Sequence, residues 1–233
     1  MQVVILCGGK GTRLYPLTQK IPKAMVPIFG KPFLYYQIKL FKKNGFANFL
    51  LCVGYKGSFI KKYFGDGSKL GVRIVYSDEG QHLLGTAGAL KKAEKLLEKE
   101  FMVIYGDSYI NFNFKKAINF FHKHNKWGLM TVYKNNNKIE PSNVVVKNGY
   151  VVYYDKQEKI PEMHYIDYGL SIFKKDILKF VSKQKFIDLS LVFKKLIERK
   201  HLLAYPVKKR YYQIGNYKGL REFKSYIKEF LTK

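Results

Sequence analysis

The sequence predicts an α/β fold carried by a mixed, mainly parallel sheet, and three observations support that expectation. Short apolar runs alternate with amphipathic stretches through the first half of the chain, the pattern of strands joined by helical crossovers. The first apolar run opens directly onto a glycine-rich turn. Late in the chain, two β-rich runs flank Asn148-Gly149, a dipeptide that favours a tight antiparallel hairpin.

The first strand spans residues 2–7 and ends in Gly8-Gly9-Lys10-Gly11-Thr12-Arg13. Glycines there permit positive φ and let backbone approach a ligand closely. Successive N–H groups in such a turn form an anion-binding nest. Lys23 follows behind Pro22, on a loop that prolines mark as non-helical. A strand, an N–H cradle, an arginine and a lysine suit a polyphosphate, although an ordinary glycine-rich βα turn fits the same residues. Two better-known glycine patterns fail. The P-loop needs Gly-Lys followed by Ser or Thr, and Gly9-Lys10 precedes Gly11. The dinucleotide fingerprint needs a third glycine where Leu14 stands, and an acidic end to the second strand, which reads Cys52-Val53-Gly54.

The remaining elements follow from periodicity. Tyr36, Leu40 and Phe41 make 33–44 a helix that stops at Gly45, before a buried strand over 46–53. A helix at 58–64 and a strand at 72–76 come next. Thr86 is placed to cap a helix running to about residue 99, with Leu90, Ala93 and Leu97 facing inward. The strand 101–105 ends in Gly106-Asp107, and a helix over 111–125 leads to a strand at 127–133. After a polar loop at Asn135-Asn136-Asn137, the hairpin strands are 143–147 and 150–154. A strand over 164–173 contains Asp167, a carboxylate inside an apolar run that needs a partner, either a ligand hydroxyl or a neighbouring backbone N–H. Helices at 175–182 and 189–199, a strand at 202–206 and a last helix complete the chain. Asn216 is placed to cap that helix, whose inward face is Leu220, Phe223, Ile227 and Phe230.

Composition bounds the function classes. The 233 residues are 47% hydrophobic, ample for one sizeable domain. No apolar run is long enough to span a bilayer, and the opening residues lack the form of a signal peptide, so a cytoplasmic protein with no membrane partner is expected. Cys7 and Cys52 fall at strand ends, where free thiols behave as small hydrophobes, and no zinc spacing is present. The net charge of +26 invites a nucleic-acid partner, but the lysines are dispersed along helices and no RNP1, KH or zinc-finger pattern occurs. A solvated basic surface that attracts anionic substrates, without specific nucleic-acid binding, is the better reading.

GGKGTRL, followed by Pro22-Lys23 and the PIFGKP run at 27–32, resembles the signature of the sugar-1-phosphate nucleotidylyltransferases, or NDP-sugar pyrophosphorylases. The resemblance covers nearly the whole chain and is closest to mannose- or heptose-1-phosphate guanylyltransferase-like members that lack a C-terminal β-helix. It implies a Rossmann-like three-layer α/β/α fold of the nucleotide-diphospho-sugar transferase type, with an antiparallel hairpin insertion. It also implies a single domain over 1–233, with a nucleotide-binding half at 1–134 and a sugar-phosphate-binding half at 135–233. The reaction it implies is attack of a sugar 1-phosphate on the α-phosphorus of an NTP, giving an NDP-sugar and pyrophosphate. GTP with a mannose- or heptose-type phosphate is the favoured pair. UTP, CTP, dTTP, a non-sugar phosphate acceptor or a non-catalytic nucleotide- or RNA-binding module are the alternatives, and a homo-oligomer is compatible with the sequence.

The same resemblance assigns roles residue by residue. Arg13 and Lys23 are the catalytic cations. Leu6, Cys7, Gly8, Gly9, Gly11 and Thr12 meet the nucleotide, as do Gly85 and Thr86 of the Gly85-Thr86-Ala87-Gly88 segment, with Glu79 or Gln81 as candidates for the base. Asp107 is the Mg²⁺ ligand, and Gln213 stands where a second metal carboxylate is usual. Asp155 and Lys156 resemble the family's Glu-Lys pair, which reaches the sugar hydroxyls and the sugar's phosphate. Asp167 and Gly169 lie in a sugar-contacting strand, and Asn143 occupies a hairpin position where many relatives carry glycine.

Overall fold

The computed structural model describes residues 1–80, 82–183 and 186–231, with the side chains of residues 230 and 231 excepted. Its principal elements, in chain order, are β1 (Gln2–Leu6), α1 (Phe33–Lys43), β2 (Asn48–Val53), α2 (Gly57–Phe64), β3 (Arg73–Asp78), α3 (Gly85–Lys92) and β4 (Glu100–Tyr105). There follow α4 (Phe114–His124), β5 (Gly128–Lys134), β6 (Val144–Lys147), β7 (Tyr150–Tyr154), β8 (Tyr165–Lys174), α5 (Leu189–Glu198), β9 (Leu202–Pro206) and α6 (Tyr217–Leu231). They fall into two compact units. One comprises residues 2–83, 104–109 and 211–233; the other comprises residue 1 with 84–103 and 110–210. No helix among the described residues is long and apolar enough to cross a membrane.

In the first unit β1, β2 and β3 lie parallel, with Val3 opposite Phe49 and Phe49 opposite Ile74. The residues of β1 and β2 are almost continuously apolar and buried, as expected of parallel strands covered on both faces, while β3 is only partly buried. The C-terminal helix α6 returns to this unit. Phe223 and Ile227 pack with Leu14, Val26, Ile28, Phe33 and Ile214, and the Phe33 and Phe223 rings meet edge-on at 4.9 Å. That cluster clamps the chain on both sides of the Lys23 loop. Asn216 accepts from the Gly219 N–H at 2.8 Å and caps α6 as its sequence position suggests. Phe230, assigned to the same face, lies outside the described side chains.

The second unit holds the antiparallel material. β8 runs antiparallel to β5, β5 parallel to β9, and β9 antiparallel to β7. β7 and β6 form the expected hairpin, with Asn148 and Gly149 both at positive φ as a type I′ turn requires. β6 then pairs back onto β8 through Val144 and Tyr165, so the five strands close on themselves. This differs from a hairpin laid on the margin of an open sheet. Closure removes the free edge that β6 would otherwise present.

β8 carries a bulge. Its register against β5 shifts between Asp167, opposite Val132, and Ser171, opposite Met130, so extra residues loop out around Tyr168-Gly169. Gly169 adopts φ 93°, a conformation open to glycine and strained for other residues.

Three local expectations are corrected. The loop at Lys23 is a short 3₁₀ turn over Lys23–Met25: Pro22 stands at its N-cap in an extended conformation, so the proline lies outside the turn and does not prevent it. The helix placed at 175–182 is a 3₁₀ segment over Lys175–Phe180. Thr86 does not cap α3. Leu84 occupies the N-cap, Gly85 begins the helix, and the Thr86 hydroxyl is engaged elsewhere.

Candidate functional site

The first unit gathers the glycine turn, both catalytic candidates and both metal candidates. Gly8 is buried beneath the Glu79 carboxylate, which a methyl group at Gly8 would strike. Glu79 thus lies over the turn. Gln81, the other candidate for the base, lies outside the described residues. Leu6 ends β1, and the buried Cys7 thiol donates to the Cys52 carbonyl at 3.3 Å. Burial, with the Glu79 charge adding to it, pushes the Cys7 pKa far up, so this is an inert packing thiol.

Gly9, Lys10, Thr12 and Arg13 are exposed. Among the described residues none accepts a hydrogen bond from the backbone N–H of Gly9, Lys10, Gly11 or Thr12. The turn is nonetheless fixed. The buried Thr18 hydroxyl donates to the Gly11 carbonyl at 2.8 Å, and Gly11 sits at φ 66° with its missing Cβ 3.0 Å from Lys23 Cβ. Four consecutive amide donors have no acceptor among the described residues and are open to phosphate oxygens.

Lys23 Nζ donates to Asp107 Oδ2 at 2.5 Å, and the Ser108 hydroxyl reaches the other carboxylate oxygen at 3.3 Å. Asp107 is held from behind by buried Gln37, whose amide nitrogen donates to the Tyr105 carbonyl at 2.9 Å and the Ser108 carbonyl at 2.6 Å. The strand Tyr212–Gln213 pairs with Ser108–Tyr109, and the Ile214 N–H donates to the Asp107 carbonyl at 2.9 Å. At Gly215 a methyl group would lie 2.6 Å from Gln213 Oε1 and 3.2 Å from Arg13 Nη2. Arg13, Lys23, Asp107 and Gln213 are therefore brought together around the glycine turn.

The donor set decides what metal could fit. Among the described residues no three His, Cys, Asp or Glu side chains form a group able to hold an ion. Asp107 offers a carboxylate, and Gln213 a neutral amide oxygen on the neighbouring strand. That set does not suit a protein-caged ion. It does suit a hard cation that keeps one carboxylate and takes its other ligands from phosphate and water.

The second unit gathers the remaining candidates. Asp155 is spent on its own turn: Oδ1 accepts from the Gln157 and Glu158 N–H groups at 2.8 and 3.1 Å, and Oδ2 pairs with Lys194 at 2.7 Å. The Lys194 hydrogen bond and those two amides hold its pKa down to about 2. Asp167 is half-buried in the β8 bulge. Burial raises its pKa to about 6, against the pull of the Gly169 N–H and the Lys156 charge. Its partner is the backbone: Oδ1 accepts from the Gly169 N–H at 2.9 Å, while the Asn143 side chain accepts from the Asp167 N–H at 2.9 Å.

Lys156 Nζ lies 3.3 Å from Asp188 Oδ1. Thr86, expected to face the nucleotide, instead donates its hydroxyl to Asp188 at 3.1 Å and accepts from the Leu189 N–H at 2.7 Å. Asp188, Lys194, Thr18 and Gln37 did not stand out from the sequence. Asp188 alone carried a local signal, an acidic residue just before the apolar periodicity of α5.

An N–H cradle beside two long cations and a strand-end carboxylate defines a phosphate-handling α/β protein. The comparisons with known proteins then place the chain more narrowly. Residues 2–229 match the nucleotidyl transferase family model, and the chain belongs to that family. It is 35% identical over 188 residues to the D-glycero-alpha-D-manno-heptose 1-phosphate guanylyltransferase of Campylobacter jejuni, covering 80% of this chain and 82% of that protein. It is 31% identical over 224 residues to a mannose-1-phosphate guanylyltransferase catalytic subunit beta of Xenopus tropicalis, covering 92% of this chain but 61% of that one. Among solved structures, HddC from Yersinia pseudotuberculosis complexed with GMP-PN superposes with a TM-score of 0.80 at 26% identity, covering 97% of this chain and 99% of HddC.

Proposed function

We propose that this protein transfers a nucleotidyl group from an NTP to a sugar 1-phosphate, releasing pyrophosphate, with GTP and a heptose- or mannose-type 1-phosphate as its substrates. The observation that carries this reading is the row of acceptor-free amides from Gly9 to Thr12, in the same unit as the Lys23–Asp107 pair. The heptose and mannose guanylyltransferases among the relatives support the choice of substrates.

An oxygen of the sugar phosphate attacks the α-phosphorus, the bond from that phosphorus to the bridging oxygen of the β-phosphate breaks, and pyrophosphate leaves with the electron pair. No protein nucleophile is needed, so the residues contribute positioning and charge. The cradle amides and Arg13 hold the triphosphate; the planar guanidinium suits two-point phosphate contact. Lys23 neutralises charge near the α-phosphate. Asp107, with Gln213 adjacent, would hold Mg²⁺, which when bound neutralises charge on the phosphate oxygens. Lys156 takes the phosphate of the acceptor, and Asp167 and Gly169 face its hydroxyls.

Pyrophosphate release measured for each NTP against a panel of sugar 1-phosphates tests the reading. Release that requires both substrates, strongest with GTP and a heptose or mannose 1-phosphate, is expected. Because a Synechocystis relative is a UTP–glucose-1-phosphate uridylyltransferase, UTP with glucose 1-phosphate belongs in the panel. Release from NTP alone, or none with any pair, would overturn the assignment.

A further inference from the structure

Asp188 does more than its place before α5 requires. Its Oδ1 accepts from the Ser190 N–H at 2.9 Å, the bond by which an N-cap satisfies a helix start. An asparagine or serine oxygen would do that equally well. What a carboxylate adds is charge, and the charge it meets is the Lys156 ammonium at 3.3 Å. The other oxygen takes the Thr86 hydroxyl, whose own oxygen accepts from Leu189. The adjoining backbone completes the latch: the Ile187 N–H donates to the Leu84 carbonyl at 2.8 Å, and the Ile187 carbonyl accepts from Ala87 and Gly88 at 2.9 and 3.1 Å. The starts of α3 and α5 are thereby locked into one piece, and Lys156 is tied to it.

Neighbouring acids do not serve the same end. Asp155, next in sequence, is committed to its own turn and to Lys194. Asp167 gives a carboxylate oxygen to Gly169. The Lys156–Asp188 pair is roughly half exposed, and such pairs add little to stability, so stabilisation does not account for it. A lysine stem has many rotamers, and holding it in advance spares an arriving ligand that ordering.

We propose that Asp188 is a positioning residue that holds the Lys156 ammonium against the latched starts of α3 and α5, presenting it to the phosphate of the sugar 1-phosphate. The proposal rests on the nucleotidyl-transfer reading above. Losing the tether outweighs the relief of carboxylate–phosphate repulsion, so the affinity for the acceptor falls when Asp188 is neutralised.

The test uses the full chain and three variants: Asp188→Asn, which retains the cap oxygen and turns an amide N–H donor towards the Thr86 hydroxyl oxygen, Lys156→Ala, and both together. With the pair that turns over best in the panel, Asp188→Asn should raise the KM for the sugar 1-phosphate about tenfold. The KM for the NTP should change less than about twofold, with an unaltered Tm. In the Lys156→Ala background the same substitution should add nothing, since the two act as a unit. An unchanged or lowered acceptor KM, a rise in both KM values together, or a full effect without Lys156 would overturn the proposal. A second readout does not need turnover: the ¹³C-methyl signal of reductively methylated Lys156, assigned by its loss in Lys156→Arg, titrated with inorganic phosphate. Asp188→Asn should move that signal towards the bulk lysine position and weaken the phosphate midpoint several-fold. If no substrate pair reacts, the reaction assignment falls while this titration still decides the pairing; an unmoved signal and midpoint would overturn it.

Discussion

Lys23 and Asp107 lie 2.5 Å apart, each half of the pair already matched to the charge it would exchange for a ligand's. A phosphate oxygen can take the ammonium and a hard cation the carboxylate, so both groups are ordered before substrate arrives. Lys23→Ala and Asp107→Ala should each lower kcat by about 10²- to 10³-fold, the size typical of losing one group that stabilises transition-state charge. The circular-dichroism spectrum should be preserved, and the double variant should fall short of the product of the two effects. Asp167 yields a prediction of a different kind. Its folded pKa of about 6 lies above its ordinary 3.8, so between those values the folded chain binds more protons than the unfolded one. Its contribution to stability is therefore most favourable below pH 4 and is lost as pH climbs through 6. Asp167→Asn keeps an oxygen for the Gly169 N–H and should flatten that decline, read as the difference in Tm between wild type and variant from pH 4 to 7.

At the scale of elements, Gly85 shows what a close approach requires. It begins α3 at φ 73°, and a methyl group there would lie 2.6 Å from the Ile187 carbonyl oxygen, which is backbone and cannot move aside. Gly85→Ala should cost about 1–3 kcal/mol, or roughly 3–10 °C in Tm, and a scanning calorimeter would show it. The sequence announced the Gly8–Arg13 turn and the Asn148-Gly149 hairpin, because each needs only neighbouring residues, whereas Gly85 was marked by family resemblance and its steric cause, Ile187, lies about a hundred residues on. Other features were not legible because their causes lie far along the chain. Thr18 supports Gly11 across seven positions, Gln37 braces Asp107 across about seventy, and Asp188 meets Thr86 across 102. The same reasoning explains Thr86. Its side chain reads locally as a cap, and a carboxylate about a hundred residues later claims it instead. Closure of the strands through Val144 and Tyr165 also depends on tertiary pairing, and periodicity is blind to it. The bulge in β8 did leave a trace, Gly169 inside an apolar strand, which local pattern could mark but not interpret.

Across the whole molecule, the +26 charge is the property that bears most on the capture of anionic substrates. Dispersed lysines make a weak site for any one polyanion but a strong general field, and that field is screened within about 8 Å at physiological salt. The KM for the NTP should therefore rise several-fold between 50 and 500 mM KCl, while kcat, set by contacts at the cradle, changes little. The position of the bound triphosphate decides between these roles and any other. A crystal structure of the chain with a non-hydrolysable GTP analogue and Mg²⁺ tests this most directly. Phosphate oxygens are expected on the Gly9–Thr12 amides, with the Arg13 guanidinium beside them and the metal on Asp107; a triphosphate bound away from the turn, with those amides left bare, would overturn the assignment.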